Sequence, residues 1–169
     1  MTSTSTKDGA APSALVVVAS TRAADGTYTD RTGPVLVDWL RRRGFSVPDA
    51  TVVADRDIEG FLNPLLEDSA SLPRVLLTTG GTGITPDDRT IEAVEPHLEQ
   101  KLDGVVHAFF ARGFAATPHA VLSRAVAGTV GRTFVMTLPG SRGAVKDAIA
   151  TLDPLIEHLV DMLEGKHAH

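Results

Sequence analysis

The chain of 169 residues contains no cysteine, carries a formal net charge of −5, and is 43% apolar and 22% charged. This composition is typical of one globular domain with a sizeable core, and it excludes disulfides, thiolate nucleophiles and cysteine-ligated zinc. The sequence has neither an apolar run approaching about 18 residues, as a membrane helix requires, nor a dense basic stripe, so neither membrane nor nucleic acid is an expected partner.

The polar start, MTSTSTKDGAAPS, lacks the apolar core of a signal peptide, so residues 1–13 are expected to be the disordered leader of a cytoplasmic protein. Four short apolar segments then predict buried strands. They are residues 14–19, 51–54, 74–79 and 133–138. A weaker pattern around residues 120–131 predicts a strand or a pair of turns ending at Gly128 or Gly131.

Apolar residues at helical spacing predict helices between these strands. The first begins at Gly33 and stops at Gly44, and the second is expected to kink or divide at Pro64. A third is expected to begin near Thr85. The remaining predictions are a helical stripe over residues 98–110, two helices or one kinked helix over residues 145–163, and a flexible tail at residues 165–169.

Short buried strands that alternate with helices predict a single α/β domain over residues 14–164. We expect three layers, with a mostly parallel sheet and helices on both of its faces. Ligands bind outside the carboxyl ends of the strands in such sheets. The loops that follow the four predicted strands should therefore meet at one edge and form the site.

Two of these four loops are rich in glycine and are expected to enter helices. They are residues 80–83, GGTG, and residues 139–143, PGSRG. Glycine lets a ligand approach the backbone, and a helix start supplies free N–H groups and partial positive charge, so both loops predict phosphate binding. Neither loop matches the P-loop or the dinucleotide-binding pattern.

The acidic residues near these loops have two interpretations. Thr85, Pro86 and Asp88 fit the start of a helix, with Asp88 in a capping box. Asp88 equally fits a Mg²⁺ ligand, because Mg²⁺ is usually bound by one or two carboxylates together with phosphates. Asp55 is either a turn residue or a site residue, and Asp87 is interpreted as a solvent-facing charge.

Three longer motifs resemble those of the Mog/MoaB family of molybdenum-cofactor biosynthesis. They are TTGGTGITPDDRTIEA at residues 78–93, LSRAVAG at residues 122–128 and LPGSRGAVKDA at residues 138–148. ASTRAADGTYTDRTGP at residues 19–34 is similar to the opening loop of that family. The order and spacing agree over nearly the whole predicted domain, so the combination is more specific than any single motif.

The resemblance implies a molybdopterin-binding-like fold, a homotrimer, and a Mg²⁺-dependent adenylylation of molybdopterin by ATP, whose product passes to a molybdate-insertion protein. It implies catalytic roles for Asp55 and Asp88, with Asp88 as the Mg²⁺ ligand. Arg22, Arg124 and Arg142 are candidate phosphate clamps. The residues expected to bind substrate or nucleotide are Ser20, Thr79, Gly80, Gly81, Thr82, Gly83, Ser123, Arg124, Pro139, Gly140, Ser141 and Gly143.

Two positions depart from the family pattern, because Thr21 stands where the family often has Asp and Arg142 where it usually has Pro. Two alternative functions stay open. The first is a protein that binds molybdopterin without catalysis. The second is a nucleotide pyrophosphatase, because the pair Asp87-Asp88 is also similar to the loop of CinA-type domains.

Overall fold

The computed structural model describes residues 9–166. This part of the chain contains six strands and seven α-helices. The strands are β1 (Ala14–Ala19), β2 (Thr51–Val53), β3 (Val75–Thr79), β4 (Gln100–Lys101), β5 (Ala127–Val130) and β6 (Thr133–Leu138). The helices are α1 (Thr21–Ala24), α2 (Gly33–Arg42), α3 (Ile58–Glu67), α4 (Thr90–Val94), α5 (Asp103–Ala116), α6 (Arg142–Leu152) and α7 (Ile156–Leu163).

The strands form one sheet in the order β2-β1-β3-β6-β5-β4. β2, β1, β3 and β6 are parallel to one another, whereas β5 is antiparallel to β6 and β4 is antiparallel to β5. The predicted mostly parallel sheet is therefore confirmed. The antiparallel part arises because a short turn at Gly131, with φ of +56°, joins β5 to β6 as a hairpin.

Helices cover both faces of the sheet, and the sheet divides the hydrophobic core into two parts. Leu77 of β3 faces the larger part, which contains side chains of α2, α5, α6 and α7. Its neighbour Leu76 faces the smaller part, which contains side chains of α3 and α4. Both leucines are fully buried, as alternation along a strand with two covered faces requires. The predicted three-layer arrangement is confirmed.

Outside the candidate site, one helix prediction needs correction, and one of two alternatives for another helix is excluded. Residues 98–102 are not helical, because the N–H groups of Glu99 and Leu102 donate to β5 carbonyls at 2.8 Å, and α5 begins only at Asp103. Pro64 does not divide α3, which is one helix. The buried stripe on one face of α3 holds that helix together although proline removes one hydrogen bond.

Backbone hydrogen bonds connect residues on both sides of the predicted domain of residues 14–164 to that domain. The Ser46 N–H donates to the Pro12 carbonyl and the Arg74 N–H donates to the Ser13 carbonyl, both at 2.9 Å. At the other end, the Lys166 N–H donates to the Asp161 carbonyl at 2.8 Å. Residues 1–8 of the predicted leader and residues 167–169 of the predicted tail lie outside the described residues. No helix within residues 9–166 is long and apolar enough to cross a membrane.

Candidate functional site

The carboxyl ends of four neighbouring strands form one edge of the sheet. Because β2, β1, β3 and β6 are adjacent and parallel, the loops that follow them all leave the sheet at this edge. The prediction that the four loops share one edge is confirmed. This is the edge at which open α/β sheets bind their ligands.

The loop of residues 80–83 depends on two glycines with left-handed backbone. Gly80 has a φ of +97° and Gly81 a φ of +68°. A methyl group at Gly80 would overlap the carbonyl oxygen of Ala19 on the neighbouring strand. From the other side, the Thr90 hydroxyl donates to the Gly80 carbonyl at 2.9 Å and the Thr90 N–H to the Gly81 carbonyl at 3.1 Å. The loop is therefore held between the end of β1, which Gly80 approaches closely, and Thr90 at the start of α4, which donates two hydrogen bonds to it.

The segment after this loop is a turn, so the helix predicted to begin near Thr85 is wrong. The Asp88 N–H donates to the Thr85 carbonyl at 3.0 Å, and Asp88 Oδ2 accepts from the Thr85 N–H at 3.0 Å and from its hydroxyl at 2.6 Å. Arg124 Nη2 donates to the Asp88 carbonyl at 2.9 Å and so competes with the helical hydrogen bond that this carbonyl would accept. The glycine loop therefore does not enter a helix directly, and Asp88 closes a turn.

The guanidinium of Arg124 donates hydrogen bonds to other residues of the chain. Its Nε donates to the Gly83 carbonyl at 2.8 Å, and its Nη1 donates to Glu92 Oε1 at 2.6 Å. The hydrogen bond to Glu92 raises the pKa of Arg124, and the same bond holds the pKa of Glu92 below its ordinary value of 4.5. Arg124 therefore braces the loop in this structure, where the sequence predicted a phosphate clamp.

Thr82 and Ser123 connect the same two segments. Their hydroxyl oxygens lie 2.8 Å apart, and the Arg124 N–H donates to the Thr82 carbonyl at 2.8 Å. Thr82 is buried. The LSR motif therefore runs along the glycine loop and supports it, which explains why two motifs distant in sequence occur together.

The second glycine loop, residues 139–143, leads directly into α6, as predicted. Ser141 is the N-cap of this helix, because its Oγ accepts from the Ala144 N–H at 3.1 Å. The remaining free N–H groups of the first turn give this end of α6 a partial positive charge. An anion bound at this loop could accept hydrogen bonds from those N–H groups.

The two glycine loops touch each other where β3 and β6 end, and this contact is called the loop crossing below. The Gly80 N–H donates to the Leu138 carbonyl at 2.8 Å, and the Thr79 hydroxyl donates to the Pro139 carbonyl at 3.0 Å. A methyl group at Gly140 would lie 3.3 Å from the Gly80 Cα. The crossing is thus tight, and Thr79 acts there as a structural link.

The opening loop after β1 holds Asp55. Asp55 Oδ2 accepts from the Thr21 N–H at 2.9 Å and from the Thr21 hydroxyl at 2.8 Å. In return, the Asp55 N–H donates to the Thr21 hydroxyl at 3.1 Å. Ser20 caps α1, with its Oγ accepting from the Ala23 N–H at 3.2 Å. Thr21, which stands where the family often has Asp, therefore supplies a hydroxyl that fixes the position of the Asp55 carboxylate.

Two clefts open on either side of the loop crossing. The arginine cleft, about 400 Å³, is lined by Arg22, Arg31 and Arg142 among others. The phenylalanine cleft, about 500 Å³, is lined by Phe109 and Phe110 among others. Both clefts have volumes typical of ligand sites. They share Gly140 and Ser141, which lie between them.

The predicted site residues divide between the two clefts. Those lining the arginine cleft are Ser20, Asp55 and Thr79, together with the shared Gly140 and Ser141. Those lining the phenylalanine cleft are Gly80, Gly81, Thr82, Gly83, Asp88, Ser123, Pro139 and Gly143, together with the shared pair. The two predicted catalytic acids, Asp55 and Asp88, thus line different clefts, and Arg124 lines neither.

Several cleft residues were missed by the sequence analysis. Tyr28 and Arg31 line the arginine cleft, and Asp147 lines the phenylalanine cleft. Tyr28 is the single tyrosine of the chain and stands in a polar loop, which is a signal that could have been used. Phe109 and Phe110 were assigned to a core stripe, but both also line a cleft.

Asp88 is the acidic residue beside the glycine loop that could bind Mg²⁺. Within residues 9–166, no group of three or more His, Asp or Glu side chains is placed to hold a metal ion. Asp88 accepts the two Thr85 hydrogen bonds on Oδ2, and Oδ1 accepts none from the described residues. One carboxylate oxygen fits a Mg²⁺ ion whose other ligands are phosphate oxygens and water.

Comparison with known proteins agrees with this architecture. Residues 15–158 match the family described as "Probable molybdopterin binding domain". The molybdenum cofactor biosynthesis protein B of Staphylococcus carnosus is 36% identical over 154 residues, which cover 89% of both chains. The Mog protein of molybdopterin biosynthesis from Mycobacterium ulcerans is 37% identical with a TM-score of 0.83, over 93% of this chain and 99% of that one.

A longer relative matches as well. The molybdenum cofactor biosynthesis bifunctional protein of Chlorobaculum tepidum is 35% identical over 156 residues, which cover 91% of this chain and 49% of that protein. The chain therefore spans about half the length of this relative.

Proposed function

This chain belongs to the Mog/MoaB family of molybdenum cofactor biosynthesis proteins, and we propose that its reaction is the adenylylation of molybdopterin by ATP. A terminal phosphate oxygen of molybdopterin attacks the α-phosphorus of ATP and forms a new P–O bond. The bond from the α-phosphorus to the oxygen bridging to the β-phosphate breaks, and pyrophosphate leaves with that electron pair. The products are adenylyl-molybdopterin and pyrophosphate.

The sharing of Gly140 and Ser141 by the two clefts is the observation that carries this proposal. With one substrate in each cleft, the terminal phosphate of molybdopterin and the α-phosphate of ATP would be brought together at the loop crossing. Reactions of this kind need mainly positioning and charge neutralisation. A rigid crossing of two glycine loops beside a helix N-terminus supplies both.

The chain's own residues would hold the phosphates and exclude water. Backbone N–H groups of the loops and of the start of α6 would bind phosphate oxygens. Asp88 would contribute one ligand to Mg²⁺, which when bound neutralises phosphate charge and makes the α-phosphorus more electrophilic. Asp55, fixed by Thr21, would orient the substrate in the arginine cleft.

The assembly and the later fate of the product are part of the same proposal. Phe114, Val121 and Leu122 are more than half exposed, and all three lie within residues 114–122. An exposed apolar surface of this kind fits an interface between copies of the chain, and we propose a cytoplasmic homotrimer. Adenylyl-molybdopterin would then pass to a protein that inserts molybdate.

Asp88→Asn with Asp87→Asn as its control tests the role of the site in this reaction. Asp87 is exposed and its side chain makes no hydrogen bond within residues 9–166, so the two variants change the same charge at adjacent positions. We expect Asp88→Asn to lower the rate of adenylyl-molybdopterin formation by about 100-fold or more, as the loss of one charge-stabilising group does. Equal rates in the two variants would remove Asp88 from the reaction.

A further inference from the structure

Three arginines line the arginine cleft, and two of them lie against one aromatic ring. Arg22, Arg31 and Arg142 all line this cleft. The guanidinium carbon of Arg22 lies 5.3 Å from the centroid of the Tyr28 ring, and that of Arg31 lies 6.0 Å from it. Cation–π attraction to one ring therefore brings two like charges together.

These three guanidinium groups have no anionic partner within residues 9–166. None of them forms a salt bridge or a side-chain hydrogen bond there. By contrast, Arg43 and Arg124 are each paired with a carboxylate at 2.6 Å. Like charges that are held close without a counter-charge favour the binding of an anion.

The loop that carries Arg22 and Tyr28 is already ordered for this task. The Tyr28 N–H donates to the Arg22 carbonyl at 2.9 Å. Asp25 Oδ1 accepts from the Thr27 N–H at 3.0 Å and from its hydroxyl at 2.7 Å. The backbone that carries the ring and the first arginine is thus positioned before binding, so less order has to be gained on binding.

The two carboxylates in the cleft are directed to helix starts. Asp30 Oδ1 accepts from the N–H groups of Thr32 and Gly33 at 2.9 Å and 3.2 Å. Asp55 Oδ2 is held by Thr21 at the start of α1. Neither carboxylate forms an ion pair with an arginine of the cleft, so the cationic character of the cleft is retained.

We propose that the arginine cleft binds the pyrophosphate part of the nucleotide, first as the β- and γ-phosphates of ATP and then as the leaving pyrophosphate. Guanidinium groups match phosphate oxygens in bidentate geometry. Three guanidinium groups suit a chain of linked phosphates better than a single phosphate. The assignment rests on the proposed function for its substrate. It also orients that substrate, because Gly140 and Ser141 would then lie beside the α-phosphate.

Calorimetric titration with inorganic pyrophosphate and orthophosphate tests this assignment in the absence of pterin. We expect pyrophosphate to bind at least about tenfold more tightly than orthophosphate. Arg31→Gln and Arg142→Gln should each weaken pyrophosphate binding about tenfold, the loss that one charge-assisted hydrogen bond predicts. Arg31→Lys and Arg142→Lys, which keep the charge without the planar fork, should fall between.

Arg132→Gln is the matched control, because Arg132 is exposed, makes no salt bridge within residues 9–166 and lies beside the start of β6, at the opposite edge of the sheet. It should bind pyrophosphate as the unchanged protein does, and thermal melting should show all variants folded. Weak pyrophosphate binding by the unchanged protein, or equal binding by the Arg31, Arg142 and Arg132 variants, would overturn the assignment.

The two proposals fail in different experiments. Transfer of AMP to molybdopterin with pyrophosphate binding unaffected by the cleft variants would refute the arginine assignment alone. Pyrophosphate binding that the cleft variants lose, in a protein that transfers no AMP, would support the arginine assignment and refute the proposed reaction.

Discussion

Arg124→Lys tests whether this residue braces the glycine loop or binds phosphate. The arginine reaches the carbonyls of Gly83 and Asp88 at 2.8 Å and 2.9 Å and the Glu92 carboxylate at 2.6 Å. A lysine ammonium has its donors on one atom and cannot span these three acceptors. The variant would therefore keep the ion pair and lose one or both carbonyl contacts.

The expected loss can be estimated from these contacts. A hydrogen bond from a charged donor contributes about 1.5–3 kcal/mol to stability. Because the Arg124 side chain is 36% exposed, water can replace part of what is lost. We expect the free energy of unfolding to fall by about 2 kcal/mol, with a parallel fall in kcat as the loop loses order.

Urea unfolding followed by the fluorescence of Trp39 measures this change, since the chain contains a single, buried tryptophan. Arg132→Lys, at an exposed position without a salt bridge within residues 9–166, is the control and should leave the midpoint unchanged. An Arg124→Lys variant of unchanged stability with a raised KM for ATP would refute the bracing role and restore the phosphate clamp.

Three further predictions concern stability. Gly80→Ala should lower the free energy of unfolding by about 3 kcal/mol or more, because Gly80 has a positive φ and a methyl group there would overlap the Ala19 carbonyl. The loss would be measured as a lower melting temperature. A loss below about 1 kcal/mol would contradict this. Thr78→Val should leave the free energy of unfolding, measured with denaturant, unchanged or raise it by about 1 kcal/mol, because the buried Thr78 hydroxyl has no hydrogen-bond partner within residues 9–166. A marked loss of stability would contradict this. The folded-state pKa of Glu92 is lowered by Arg124, so the stability contributed by this pair should be full above pH 4.5 and lost as the pH falls through the folded pKa. Glu92→Gln should flatten that part of the stability-against-pH curve measured by urea unfolding, and an unchanged slope would contradict the pairing.

The sequence was sufficient for the sheet because its signal is local. β3 and β6 are buried throughout and mostly apolar, as strands covered on both faces are, and their parallel arrangement then places the loops at one edge. The hairpin partner β5 was predicted only vaguely, because its sequence AGTV has little apolar character of its own.

The sequence was insufficient where a distant side chain decides the outcome. The turn at Thr85 is stabilised by Arg124, which lies 36 residues beyond Asp88, and no local pattern reports such a contact. For the same reason the motif alone could not distinguish a brace from a phosphate clamp. The division of Asp55 and Asp88 between two clefts likewise depends on the loop crossing, which only the three-dimensional arrangement of β3 and β6 creates.

The most direct test of the proposed reaction follows labelled phosphate. The protein is incubated with molybdopterin, Mg²⁺ and ATP labelled either at the α- or at the γ-phosphate, and the products are separated by chromatography. We expect the α-label to appear in the pterin product and the γ-label in pyrophosphate, in equal amounts. Molybdopterin that binds without acquiring label, or AMP released equally without the pterin, would contradict it and favour a binding protein or a nucleotide pyrophosphatase respectively.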